Sequence, residues 1–288
     1  MTEMIDIQRS TILSRKISRG DIGCLVLAEF FVAALSPLES ASNFIGIIEH
    51  IATQNLFFLF AILVAAKRFR LADQSEAPSK LDIFSAILAT LLFTIICFFG
   101  VEQLAGLGLT IILALFIITG AKDRNFFSAL LVCSALALNC FWGPLIFQTF
   151  TAQIIAFDSS LLKWAYAYLR PDIAVQGVTF VSPNGFGIVI VGVCSVFNSA
   201  SVAFLATTAI SQFIRPGLRI RDGIVTIAVL LTMILINTCR LILMGWDRSL
   251  FAYWHDGAGG PVVAAAQTMI IAIVATSGAI WAAREKKF

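Results

Sequence analysis

Three side chains in the second half of the chain have the types needed for acyl transfer. Cys194 lies in Gly192-Val-Cys-Ser195, Arg240 in Asn237-Thr-Cys-Arg240, and His255 in Tyr253-Trp-His-Asp-Gly257. A thiolate attacks a carbonyl, an imidazole moves the proton, and a fixed cation faces the oxygen on which charge develops. Each of the three stands at or just beyond one end of a long apolar run. An arginine inside such a run is costly unless it is paired or reaches the interface, so Arg240 marks a functional position. Asn237 precedes it by three residues, shares its helical face and supports the guanidinium. Cys194 and Ser195 fall where a β-prone run passes into a helix, whose first amides and dipole favour a thiolate. Cys239 points to a different side of its helix and ranks below Cys194 as nucleophile. His50 is the other histidine and the reserve candidate for the base, while Asp158, Asp247 and Asp256 are the carboxylates that could orient an imidazole.

These residues must be positioned by membrane helices. The chain has 288 residues, 59% of them hydrophobic and 13% charged. A soluble domain has roughly a quarter of its residues charged, so the composition is that of a membrane protein. The net charge of +3 is spread over short loops, which excludes a nucleic-acid-binding patch. The other five cysteines (Cys24, Cys97, Cys133, Cys140 and Cys239) sit in or beside apolar runs, as small hydrophobes do. With no Cys-x-x-Cys and no histidine cluster, neither a metal nor an organic cofactor is expected. The charged N-terminal segment is not expected to be a cleavable signal.

A helix needs about 20 apolar residues to cross the hydrocarbon core. That length gives eight spans: Ile22 to Leu38, Phe44 to Ala66, Asp82 to Phe99, Gln103 to Ala121, Phe126 to Phe147, Ser195 to Ile214, Gly223 to Gly245 and Gly259 to Ala283. Lys and Arg concentrate in the N-terminal segment, in Lys67 to Lys80, Lys122 to Arg124 and Arg215 to Arg221, and in the tail. Alternation over eight spans puts all five on one side, which the positive-inside rule makes cytoplasmic. Cys194, Arg240 and His255 then converge on the opposite side.

The expected fold is an all-α polytopic membrane protein forming one domain over residues 1–288. It has a cytoplasmic N-terminal segment (1–21), an extracytoplasmic insertion before the sixth span (148–193) and catalytic spans (194–283). Within the insertion, Phe150 to Leu169 reads as one or two short interfacial helices, with Trp164, Tyr166 and Tyr168 at headgroup level. Ile173 to Val181, the turn Ser182-Pro-Asn-Gly185, and Phe186 to Val193 read as a short β-hairpin delivering Cys194.

The order cysteine, Asn-x-x-Arg, then histidine before a final span, in a chain of eight spans, resembles the exosortase/archaeosortase family. The resemblance covers Gly185 to the end; the earlier spans agree in number and layout. The family's cysteine typically precedes Ser/Ala-Gly, whereas Val196 stands at the glycine position here. The resemblance implies a cysteine peptidase or transpeptidase with Cys194, Arg240 and His255 as catalytic residues and no cofactor. Its partners would be membrane-anchored proteins with a C-terminal tail made of a short motif, a span and a basic cluster. An amine, lipid or glycan would be the acceptor, and the location the bacterial inner membrane with both termini cytoplasmic. Other functions compatible with the residues are a transporter or channel lined by Arg240 and Glu49, a thiol-dependent membrane acyl or lipid transferase, and a non-catalytic scaffold.

Overall fold

A computed structural model describes residues 17–34, 56–72, 77–99, 103–118, 123–195, 197, 200–255 and 257–284. Ten helices and one small sheet are present among them. In chain order these are α1 (Arg19–Ala34), α2 (Leu56–Leu71), α3 (Lys80–Phe99), α4 (Gln103–Ile118) and α5 (Arg124–Thr149). They continue with α6 (Thr151–Leu169), β1 (Ala174–Gln176), β2 (Thr179–Val181), β3 (Gly187–Val189), α7 (Ala200–Ile214), α8 (Ile220–Met244), α9 (Arg248–His255) and α10 (Gly259–Ala283). The fold is all-α with membrane character: α3, α5, α8 and α10 are long and apolar enough to cross a bilayer, and α4 and α7 are shorter apolar helices. Each of the eight apolar stretches contains one described helix, but Glu49, His50 and Asp256 lie outside the described residues.

Helix boundaries follow local chemistry. Ser79 and Asp82 bond each other reciprocally at the start of α3: the Ser79 N–H and Oγ donate to Asp82 Oδ2, and the Asp82 N–H donates to Ser79 Oγ. Asp123 accepts from the Phe126 N–H at 2.7 Å to open α5. Pro144 would break α5, since it lacks an N–H. The helix instead widens into a π-turn over Leu138–Trp142, and the Gly143 N–H reaches back to the Leu138 carbonyl. Gly143 also lets α5 approach α7, because a Cβ there would lie 2.7 Å from Ser201 Cβ.

Most polar pairing gathers at one end of the bundle, where successive helices present alternately their first and last turns. Arg19 of α1 pairs with Asp82 of α3 at 3.2 Å, both nearly inaccessible. Arg215, just past α7, pairs with Asp222 of α8 at 2.6 Å, and Ser211 Oγ donates to the same carboxylate at 2.7 Å. Buried Arg68 of α2 donates to Asn125 Oδ1 at 3.1 Å and to the main-chain carbonyls of Gln212 and Phe213 at the end of α7. Those carbonyls have no intrahelical partner, so Arg68 satisfies them while being held itself. Cys194, Asn237 and Arg240 lie toward the opposite end of α7 and α8. The largest described cavity, about 1060 Å³, contains none of the three and is walled in part by Thr207, Gln212 and Asp222.

Arg68→Met leaves the α7 carbonyls buried without a donor, at a cost of about 2 kcal/mol. Thermal unfolding in detergent should shift down by about 4–8 °C, read by differential scanning fluorimetry. A variant melting with the parent would remove this anchor from the account.

Candidate functional site

The candidate site is built on a small apolar core separate from the main bundle core. Leu162 and Tyr166 of α6, Phe180, Ile188 and Ile190 of the sheet, and Leu241 and Met244 of α8 are buried together. The Tyr166 hydroxyl donates to the carbonyls of Leu241 (3.3 Å) and Ile242 (3.0 Å), the last turn of α8. Any side chain at Gly245 would strike that hydroxyl, so glycine there permits the close approach. Where the sequence predicts one or two short helices after Phe150, α6 is one continuous helix of 19 residues.

Where it predicts a two-stranded hairpin, the chain makes a three-stranded antiparallel meander in the order β1-β2-β3. The added strand arises because Gly177, at φ +62°, turns the chain between Gln176 and Thr179. The second turn is Ser182-Pro-Asn-Gly185, with Gly185 at φ +79° and Asn184 Oδ1 accepting from the Phe186 N–H at 3.1 Å.

β3 runs through Ile190 and Val191 into a 3₁₀ turn, Gly192–Cys194. The Cys194 N–H donates to the Val191 carbonyl (2.9 Å) and the Ser195 N–H to that of Gly192 (3.0 Å). Cys194 thus ends a 3₁₀ turn and Ser195 is extended, and the described part of α7 runs from Ala200. Both turn amides are engaged within the turn. The Cys194 carbonyl accepts from Asn237 Nδ2 of α8 at 2.9 Å. Asn237 thus holds the Cys194 turn.

Arg240 lies one turn further along the same face of α8. Its Nε and Nη2 donate to the Trp254 carbonyl, at 3.3 and 3.1 Å. That carbonyl is at the end of α9, whose last carbonyls lack intrahelical donors and attract a cation. At the other end of α9, Asp247 Oδ1 accepts from the amides of Ser249 (2.7 Å) and Leu250 (2.8 Å). Those amide bonds, Leu250 first, hold the Asp247 carboxyl below the usual carboxylate range. Asp247 is thereby a helix cap. The His255 ring stacks on Phe251, one turn earlier, with centroids 4.8 Å apart and planes 11° apart.

Cys194 and His255 line one cavity of about 150 Å³, closed by Gly187 to Val191, Leu241, Met244 and Phe251. Arg240 lies outside its lining. The structure brings thiol and imidazole to one space and ties the flanks of both to α8. Cys239 is exposed on another face of α8, beside Trp164 and Tyr168 of α6.

Asp158 of α6 is the carboxylate that adjoins Ser195. It is 4% exposed and hydrogen-bonds the Ser195 side chain, while its Oδ2 is buried with no partner among the described residues. Burial raises its pKa, and the Ser195 bond offsets part of that rise. An aspartate after Phe157 in an amphipathic stretch carried no signal that distinguished it from Asp247. Among the described residues no cluster of His, Cys, Asp and Glu could hold a metal ion. Comparison of the chain with protein-family models, with curated proteins and with solved structures finds no match.

The raised pKa of Asp158 has a defined consequence for stability. The folded state holds this proton more tightly than the unfolded chain, so folding is favoured at low pH. The advantage is lost as pH rises from the ordinary aspartate value, about 3.9, through the higher folded value. Asp158→Asn should therefore melt above the parent at pH 7–8, and the gap should close as pH falls to about 4. A gap independent of pH would contradict a buried, ionising Asp158.

Proposed function

We propose that the chain is an exosortase-like cysteine peptidase and transpeptidase acting on the C-terminal tail of membrane-anchored proteins. The observation that carries this is the single cavity lined by Cys194 and His255, with both flanks held by Asn237 and Arg240. Cys194 Sγ attacks the scissile carbonyl carbon, and the C–N bond breaks to leave a thioester. His255 takes the thiol proton and delivers it to the departing amine. Water or an acceptor amine then attacks the thioester and restores the thiol.

Both amides of the Cys194 turn are engaged by Val191 and Gly192. The donor to the oxyanion must therefore come from elsewhere, and Arg240 is the cation held nearby on α8. Two of its nitrogens hold Trp254, so it positions His255 as well as supplying charge. In this account the chain crosses the bacterial inner membrane eight times with both termini cytoplasmic. Residues 148–193 form an extracytoplasmic insertion, with Cys194 at the outer face. A substrate tethered by its own span reaches Cys194 by lateral diffusion, its cut site at fixed depth.

The test is processing of a co-expressed protein carrying a short motif, a span and a basic cluster, read as a mobility shift. Cys194→Ala should abolish the shift, and Cys194→Ser should slow it. His255→Ala should lower the rate by about 10²-fold or more. Arg240→Lys should lose a similar factor, because lysine offers a point charge rather than a two-donor fork. Full processing by Cys194→Ala would overturn the proposal, as would substrate flux through the membrane that survives that substitution.

A further inference from the structure

Among the described residues β3 is an edge strand, with β2 on one side and no strand on the other. Its register shows which main-chain groups face outward. The Ile190 N–H donates to the Val178 carbonyl at 3.0 Å and the Ser182 N–H to the Phe186 carbonyl at 2.8 Å. In an antiparallel ladder, pairs that exchange hydrogen bonds alternate with pairs that do not. Phe180 and Ile188 are thus a bonded pair facing inward. Val181–Gly187 and Thr179–Val189 are non-bonded pairs, so the N–H and C=O of Gly187 and Val189 point to the open edge.

An open edge presents a row of donors and acceptors that another strand completes, and folds commonly blunt it with charge, proline or a bulge. None of these stands between Gly187 and Val191. Val189 is 54% exposed and Val191 45% exposed. Three residues beyond Val191 the chain reaches Cys194, and Gly187 to Val191 line the same cavity as Cys194 and His255.

We propose that the segment to be cleaved docks as an extended strand on the free edge of β3. Its main chain would bond Gly187 and Val189, laying its scissile carbonyl toward the Cys194 turn. The alternation of donors and acceptors along this edge matches an extended peptide and neither a helix nor an acyl chain. The two exposed valines favour small apolar residues in the docked segment. Main-chain bonding supplies affinity whatever the side chains, so the tail motif is read mainly where it enters the cavity. This rests on the proposed peptidase activity.

The edge allows a selective perturbation. Val189→Pro removes the outward N–H without touching a β2–β3 bond, a position where proline is tolerated in an edge strand. Val189→Ala keeps the N–H and measures the side chain alone. With the co-expressed tail-bearing protein, V189P is expected to process at least about tenfold more slowly than V189A, the worth of one main-chain bond. Equal rates for the two, with processing still dependent on Cys194, would overturn the docking mode and leave the peptidase intact.

A second measurement covers the case in which V189P fails to fold. In a Cys194→Ala chain lacking its other cysteines, Val189→Cys is oxidised against single cysteines placed along the substrate's cleavage segment. Cross-links at every second position support strand docking, because side chains alternate with period two. A period of three to four, or no cross-link in a chain whose Cys194-bearing parent processes the substrate, contradicts it. A disulfide between two copies through Val189→Cys would assign the edge to self-association and also overturn it.

Discussion

Two main-chain carbonyls without partners meet two side chains that an apolar helix cannot leave bare. The Cys194 carbonyl ends a 3₁₀ turn, and the Trp254 carbonyl ends a short helix. Asn237 and Arg240 stand one turn apart on α8, a helix apolar enough to cross a membrane. An amide or guanidinium in that setting is stable only when bonded, and so is a buried carbonyl. Each therefore satisfies the other, and the Cys194 turn and the His255 helix are fastened to one rigid element. Cys194 and His255 come from chain segments some sixty positions apart, and this double attachment is what gives them a common cavity.

The rest of this end of the bundle serves the same attachment. Tyr166 ties α6 to the final carbonyls of α8, and the meander packs Phe180, Ile188 and Ile190 onto the same turn. Asp247 fixes the first turn of α9 while Arg240 fixes its last. At the opposite end Arg68, Arg19–Asp82 and Arg215–Asp222 hold the bundle by buried charge. Side chains bond main-chain carbonyls at both ends, and the Arg68 end adds the buried ion pairs.

Much of this was legible in the sequence, for physical reasons. Runs of apolar residues announce helices because composition and length are conditions for crossing lipid, and all eight runs contain one. Ser182-Pro-Asn-Gly185 announced its turn, since Gly185 needs a positive φ. The third strand was missed because Gly177 lies inside a β-prone run and looks like an interruption. The 3₁₀ turn at Cys194 was not legible because apolar residues continue through Cys194 and Ser195. The partners of Asn237 and Arg240 could not be read at all: a carbonyl belongs to every residue and leaves no mark in a sequence. For the same reason the free edge of β3 emerges only from its register, and the choice among Asp158, Asp247 and Asp256 depends on which lies beside Ser195 and which begins a helix.

The central claim is that Cys194 carries the cleaved protein as a thioester. Brief incubation of the purified protein with a tail-bearing protein, followed by acid quenching and peptide mass spectrometry, tests it directly. The Cys194 peptide should gain the mass of the substrate's N-terminal fragment, and neutral hydroxylamine should release it. A cleaved substrate with no adduct on Cys194, or an adduct on Cys239 instead, would contradict the account.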